Sequence, residues 1–318
     1  MSISHYIKDI GRGAAGARAL SQAAARDLMG QVLDGTASDL EVGAFVMAMR
    51  MKGETLAELL GFLEAVEERC LLVESDLPVV SIPSYNGARK LPNLTPLLAM
   101  CLAQQGARVL VHGPLTDGGR VTSAEIFRDL GLHAALTMAD IASAWARREP
   151  AFVATGTLSP ALQKLLSVRA VVGVRNSGHT VAKMLNPCHP ARCLRLVNFT
   201  HPEFGGLMAA WAQQTQADAV VLRGTEGEPV ADPRRQPRLD IWVAGELRGE
   251  LSSPAQDGVL TELPLLPRSH DAATTALYIQ DVLGGARPAP APLARQVDLV
   301  LAALTALEAS AHAPSLSA

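Results

Sequence analysis

Apolar side chains recur every third or fourth position from Ala19 to Leu33, from Leu40 to Met51 and from Leu56 to Glu68, the spacing of one buried helical face. Ser38 or Asp39 offers the second of these helices a polar start, and the third begins after Gly53 and Thr55. The texture then changes. Between Leu71 and Pro83 the β-branched run Val79, Val80 and Ile82, flanked by Pro78 and Pro83, predicts a strand. Beyond it helix and strand patterns alternate: helix Pro96 to Gln105, strand Val109 to His112, helices Ser123 to Leu130 and Met138 to Arg148, strand Phe152 to Ala154, helix Gln163 to Val168. Further strands are predicted at Leu194 to Asn198, Ala219 to Leu222 and Leu239 to Val243, with helices at Glu203 to Gln213, His270 to Leu283 and Leu293 to Ala309. Arg287 to Pro292 reads as a turn and His312 to Ala318 as a loose tail. The pattern predicts an α/β fold: a small N-terminal helical lobe over 1–76, then a larger α/β lobe over 77–318 around a central, mostly parallel sheet.

Composition agrees with this plan. The 318 residues are 48% apolar but only 4% aromatic, which favours helices packed through Ala and Leu. The four cysteines, Cys70, Cys101, Cys188 and Cys193, lack the paired spacings of a disulfide framework or a zinc ribbon and read as reduced, buried thiols. Cys188, His189 and Cys193 lack a fourth ligand at suitable spacing, so no metal site is expected. The first ten residues have no apolar core after a basic start, and no run of about 18 apolar residues occurs. A cytoplasmic protein with no membrane segment is the expectation.

Charge changes the picture. The chain carries 28 Lys and Arg against 31 Asp and Glu, yet from Ala151 to Pro202 there is no acid, while Lys164, Arg169, Arg175, Lys183, Arg192 and Arg195 all fall there. Two readings are open. The cations pair with acids from elsewhere in the fold or form a solvated face, or they line a groove for phosphates. Phe152 and Phe199 are the only aromatic residues in the stretch, so a groove would contact backbone phosphates more than bases, with little sequence specificity.

Asp34 to Thr55, DGTASDLEVGAFVMAMRMKGET, closely resembles the N-terminal helical signature of the anthranilate phosphoribosyltransferases and their nucleoside phosphorylase relatives, glycosyltransferase family 3. The resemblance implies a helical lobe joined by part of 160–187, a homodimer through the N-terminal helices, and phosphoribosyl pyrophosphate with Mg²⁺ bound in a cleft. The motifs for that chemistry are altered. The family's glycine loop GTGGDG stands here as Pro83, Ser84, Tyr85, Asn86, Gly87 and Ala88, followed by Arg89 and Lys90, so close backbone approach to a pyrophosphate is obstructed. N-I-S-T becomes Asn93, Leu94, Thr95 and Pro96, which keeps a helix start able to meet an anion. K-H-G-N-R becomes Val111, His112, Gly113, Pro114 and Leu115. The magnesium acids of G-L-D-E fall at Gly227, Glu228, Pro229 and Val230, with Glu226 the nearest substitute. H-P-A-M-K begins with Ser159, while GVRNSGHTVAKMLNP, Gly173 to Pro187, keeps the last signature with Ala182 and Lys183 where Gly and Pro belong.

A kept scaffold with rewritten catalytic loops resembles the second, TrpD-like paralogue branch, whose members bind DNA and RNA without sequence preference; Arg223 to Arg235, RGTEGEPVADPRR, has the same look. That resemblance implies no catalytic residues, no cofactor and no metal. It implies nucleic-acid contact through Lys164, Arg169, Arg175, Lys183, Arg192, Arg89 and Lys90. Ser84, Asn86, Gly87, Asn93, Thr95, His112 and Gly113 would remain as a residual cleft, His112 as a turn histidine or a functional group, Tyr85 as a cleft cover or a stacking ring. The alternatives are an active transferase using phosphoribosyl pyrophosphate and Mg²⁺, or a scaffold that binds another protein through its helical lobe.

Overall fold

The computed structural model describes residues 2–13, 15–188 and 192–311. Four helices open the chain: α1 (Ser4–Ile10), α2 (Gln22–Leu33), α3 (Asp39–Lys52) and α4 (Leu56–Glu67). Side-chain caps fix three of the starts. Ser21 accepts the Ala24 N–H, while Ser38 with Glu41 and Thr55 with Glu58 form reciprocal capping boxes. The sequence pattern did not predict α1, which at seven residues is too short to show a period.

There follow β1 (Val79–Pro83), α5 (Thr95–Gln104), β2 (Arg108–Gly113), α6 (Ser123–Asp129), α7 (Met138–Ala146) and β3 (Ala151–Ala154). Four short helices come next: α8 (Thr155–Leu158), α9 (Pro160–Ser167), α10 (Arg169–Val172) and α11 (Ser177–Val181). The remaining elements are β4 (Cys193–Phe199), α12 (Glu203–Gln214), β5 (Ala219–Arg223), β6 (Leu239–Val243), β7 (Glu246–Leu247), α13 (Ala272–Leu283) and α14 (Ala291–Ala311). The tail expected from His312 lies outside the described residues.

The chain divides into two compact units, Met1–Leu71 with Thr155–Pro187, and Leu72–Ala154 with Cys188–Ala318. The helical unit therefore ends at Leu71 rather than 76, and its second piece starts at Thr155 rather than 160. Within it α4 lies so close to α2 that a side-chain carbon at Gly61 would sit 2.2 Å from the Gln22 carbonyl and 2.7 Å from the Arg26 nitrogen. Glycine is needed there. The buried Glu58 carboxylate accepts from Lys52 Nζ at 2.6 Å and from the Leu20 and Thr55 N–H groups at 2.9 Å, and Arg69 grips Asp34 through Nε and Nη2 at 2.7 and 2.9 Å. Asp34, Ser38, Glu41, Lys52 and Thr55 thus serve caps and ion pairs. The stretch that carries the family resemblance holds the bundle together.

The second unit is built on a seven-stranded sheet in the order β3-β2-β1-β4-β5-β6-β7. Strands β1 to β5 run parallel, and β6 and β7 are antiparallel additions. β1 is buried at every position, as a strand covered on both faces must be, whereas β6 alternates, as one with a wetter face does. Leu97 and Leu98 of α5, Phe127 of α6, Ile279 of α13 and Val300 of α14 share one core with sheet residues such as Val80, Val111 and Leu196. Because β1 leads outward to β2 on one side and pairs with β4 on the other, the sheet has its topological switch point at β1 and β4. Loops at the carboxyl ends of strands around such a point form the usual binding crevice of an open α/β sheet.

Candidate functional site

The loop after β1, Ser84 to Leu91, occupies that position, and two glutamates fill it. The buried carboxylate of Glu228 accepts the N–H groups of Asn86 and Gly87, both at 2.7 Å, on Oε1. On Oε2 it accepts the hydroxyls of Ser84 at 2.5 Å and Thr95 at 3.2 Å. Glu226 takes the next three donors, the N–H of Arg89 at 3.0 Å, of Lys90 at 2.9 Å and of Leu91 at 2.8 Å. Gly87 turns the loop at φ +63°, and a side chain there would meet the Val121 carbonyl oxygen at 2.9 Å. Asn93 hydrogen-bonds the Ser123 hydroxyl at 3.2 Å, and Ser123 contacts Ser84 at 2.7 Å. Ser84, Asn86, Gly87, Asn93 and Thr95 are therefore gathered as the sequence suggested, but they are buried around a carboxylate and do not line an open cleft.

His112 is not a turn residue. It lies within β2, one residue before its end, with Nε2 3.1 Å from the Ser81 hydroxyl and Nδ1 3.0 Å from the Tyr85 hydroxyl, and burial pulls its imidazole from 6.5 down to about 3. A neutral, fully enclosed ring bridges two hydroxyls. Tyr85 is 3% exposed and packs edge-on against His112, so it is not available to stack on a base. Gly113 ends the strand, where a side chain would strike the Ser84 carbonyl at 1.9 Å.

The acid-free stretch is divided between the units: it passes from the second into the first at Thr155 and back at Cys188. Arg169, Arg175 and Lys183, all in the helical unit, are brought together around His179. Burial holds that imidazole down at about 3, reinforced by the positive charges of Arg175, Arg169 and Lys183. All three cations are half-buried and Lys164 on α9 is exposed. Ser159, at the altered histidine position, caps α9 by accepting the Leu162 N–H at 3.3 Å.

Arg192 requires a correction. Its Nε and Nη2 are 2.8 and 2.5 Å from Asp218, an acid beyond the stretch, so the guanidinium is committed inside its own unit. Arg195 is 7% exposed and lies over the Trp211 ring at 4.5 Å. Arg89 and Lys90 follow the loop as expected, their N–H groups held by Glu226. Cys188 and Cys193 are both buried; a hydrogen bond to Cys193, then burial, raises the Cys188 thiol, and His189 lies outside the described residues.

Magnesium does not fit the acids present. A divalent cation needs carboxylate lone pairs, and those of Glu226 and Glu228 face seven N–H and O–H donors whose positive ends would repel it. Among the described residues no group of three or more His, Cys, Asp or Glu is placed to hold a metal. The role of these glutamates is not legible locally, since they lie 133 to 144 positions from their donors.

Residues 4–70 match the helical bundle domain of a glycosyl transferase family. The chain is 38% identical over 307 residues to the uncharacterized protein YbiB of Escherichia coli (strain K12), covering 95% of this chain and 94% of that protein. It is 27% identical to an anthranilate phosphoribosyltransferase of Nocardioides sp. (strain ATCC BAA-499 / JS614), across 81% of this chain and 75% of the other. Among solved structures it resembles the anthranilate phosphoribosyltransferase (TrpD) of Thermus thermophilus, with a TM-score of 0.71 and 21% identity over 96% of this chain and 89% of that one. The Saccharomyces cerevisiae enzyme in complex with PRPP and Mg superposes with a TM-score of 0.70 at 14% identity, over 96% and 88%. The chain therefore belongs to the family of YbiB, homologous to the anthranilate phosphoribosyltransferases, with a glycosyltransferase family 3 helical domain at its N-terminal end.

Proposed function

We propose that this protein binds the phosphates of DNA or RNA without sequence preference and does not carry out phosphoribosyl transfer. The observation that carries the reading is the convergence of Arg169, Arg175 and Lys183 on the buried His179, inside a segment without a single acid. The charges of Arg169, Arg175 and Lys183 act together at one place, and phosphate is the anion that polynucleotides offer. The filled loop supports the negative half of the reading. In the family's enzymes backbone N–H groups at this place meet a pyrophosphate, and here two internal carboxylates already accept them.

Transfer with phosphoribosyl pyrophosphate and Mg²⁺ is the alternative. It requires Glu228 to leave four donors and Glu226 three before substrate enters. A dimer through the helical unit is part of the proposal: Leu40, Ala44, Met47 and Met51 fall on one exposed face of α3 at helical spacing, a stripe that a second copy would cover. Titrating a labelled oligonucleotide with the protein and its Arg169→Ala/Lys183→Ala variant at two salt concentrations tests the reading.

A further inference from the structure

A second concentration of positive charge lies wholly within the α/β unit, outside the acid-free helices. Lys90 and Leu91 after β1, Phe199, Thr200 and Pro202 at the end of β4, Arg223 to Glu226 at the end of β5 and the segment around Arg235 before β6 line one cavity of about 720 Å³. These are loops at the carboxyl ends of parallel strands, beside the switch point between β1 and β4. The volume is that of a small-molecule site rather than of a cleft for a bare ion.

The walls carry five cations, Lys90, Arg223, Arg234, Arg235 and Arg238, against three acids, Glu226, Asp232 and Asp257. Arg234 is held by Asp232 at 2.9 Å and Arg238 by Asp240 at 2.7 Å, and the Glu226 carboxylate is used by three N–H groups of the β1 loop. Arg223, Arg235 and the Lys90 ammonium make no ion pair among the described residues, and all three are exposed. Phe199, which would lie 3.3 Å from a side chain placed at Gly205, supplies an aromatic wall. The floor at Gly224 is tight. A side chain there would come within 2.1 Å of the Glu228 carbonyl oxygen and 2.6 Å of Asn198 Nδ2, and the buried Asn198 amide has no hydrogen-bond partner on either atom among the described residues.

We infer that this cavity is a nucleotide phosphate site, in which Arg223, Arg235 and Lys90 take the phosphate and Phe199 borders the sugar and base. Guanidinium groups suit phosphate oxygens through paired donors, and an aromatic wall accepts any base. The phosphate comes from a polynucleotide strand or from a free mononucleotide. The strand as source rests on the nucleic-acid reading above; the chemistry of the cavity does not. None of Ser84, Asn86, Gly87, Asn93, Thr95 or His112 lines it, so it borders the loop cluster through Lys90, Leu91 and Glu226 without reaching the buried part around Glu228.

The test uses full-length protein, an Arg223→Ala/Arg235→Ala variant and the Arg169→Ala/Lys183→Ala variant, each first shown to melt as the wild type does. Fluorescence anisotropy with labelled dT12 and calorimetry with AMP are then run at low salt. We expect the Arg223/Arg235 variant to bind dT12 about tenfold more weakly and with a shallower salt dependence. If the wild type binds AMP and this variant does not, the source includes free nucleotide. AMP binding without dT12 binding, lost in the variant, sinks the nucleic-acid reading and leaves the cavity assignment standing. Wild-type affinity of the variant for every ligand that the protein binds, or no binding of either ligand by the wild type, overturns the assignment.

Discussion

Glu228 Oε1 accepts the Gly87 N–H at 2.7 Å across 141 positions of sequence, so that a carboxylate of the chain itself stands where the family's glycine loop meets an anionic ligand. The same carboxylate group gathers Asn86, Ser84 and Thr95. Replacing Glu228 by Ala strands two buried N–H groups and two hydroxyls and is expected to cost about 3 kcal/mol. Urea unfolding of E228A measures it. Pyrophosphate added to the variant should recover part of the loss, since an anion then answers the same donors, and should stabilise the variant more than the wild type.

A ligand taken up by the native state alone raises the melting temperature, so phosphoribosyl pyrophosphate at millimolar concentration should raise it no further with Mg²⁺ than without it. An additional rise of several degrees that requires Mg²⁺ would show that the glutamates yield to substrate and metal, and would restore the transferase reading.

Two buried imidazoles set a pH dependence. His112 and His179 sit at about 3 in the fold against an ordinary 6.5, the first through burial, the second through burial and then the charges of Arg175, Arg169 and Lys183. Below 6.5 the unfolded chain binds protons that the folded chain refuses, so stability is full above that value and falls as pH drops from 6.5 towards 3. Between pH 7.5 and 5 each histidine should remove about 2 kcal/mol. Urea midpoints at the two pH values check this, and equal midpoints would contradict the burial of both rings.

The exposed stripe on α3 makes the assembly testable. Met47→Glu/Met51→Glu places charge on a face that is already solvent-accessible within the protomer, where Met51 is 75% exposed, and should leave the fold intact. Light scattering should then report a monomer where the wild type is a dimer. A wild type that is itself monomeric at micromolar concentration would remove the dimer from the proposal.

Local chemistry made most of the fold legible. Ser38 with Glu41 and Thr55 with Glu58 mark helix starts within a few residues of each other in sequence, and the apolar run at β1 announces a strand buried on both faces. The reversal at β6 was hidden because alternation tells which face is wet and not which way a strand runs. The site was legible only in part. The loss of loop glycines around Tyr85 could be read directly, and the charges of Arg169, Arg175 and Lys183 act together on His179. Yet the partners that decide the chemistry are remote: Asp218 neutralises Arg192, and Glu226 and Glu228 fill the loop from some 140 positions away. No spacing rule reaches that far.

The central claim, phosphate binding at the cations around His179, is tested most directly by anisotropy of a labelled single-stranded oligonucleotide from 50 to 200 mM salt, beside the Arg169→Ala/Lys183→Ala variant. With about four phosphates neutralised, log K should fall against log salt with a slope of about −3. The variant should bind more weakly, with a slope nearer to zero. A flat salt response in the wild type, or a variant that binds as well as the wild type, would contradict the account.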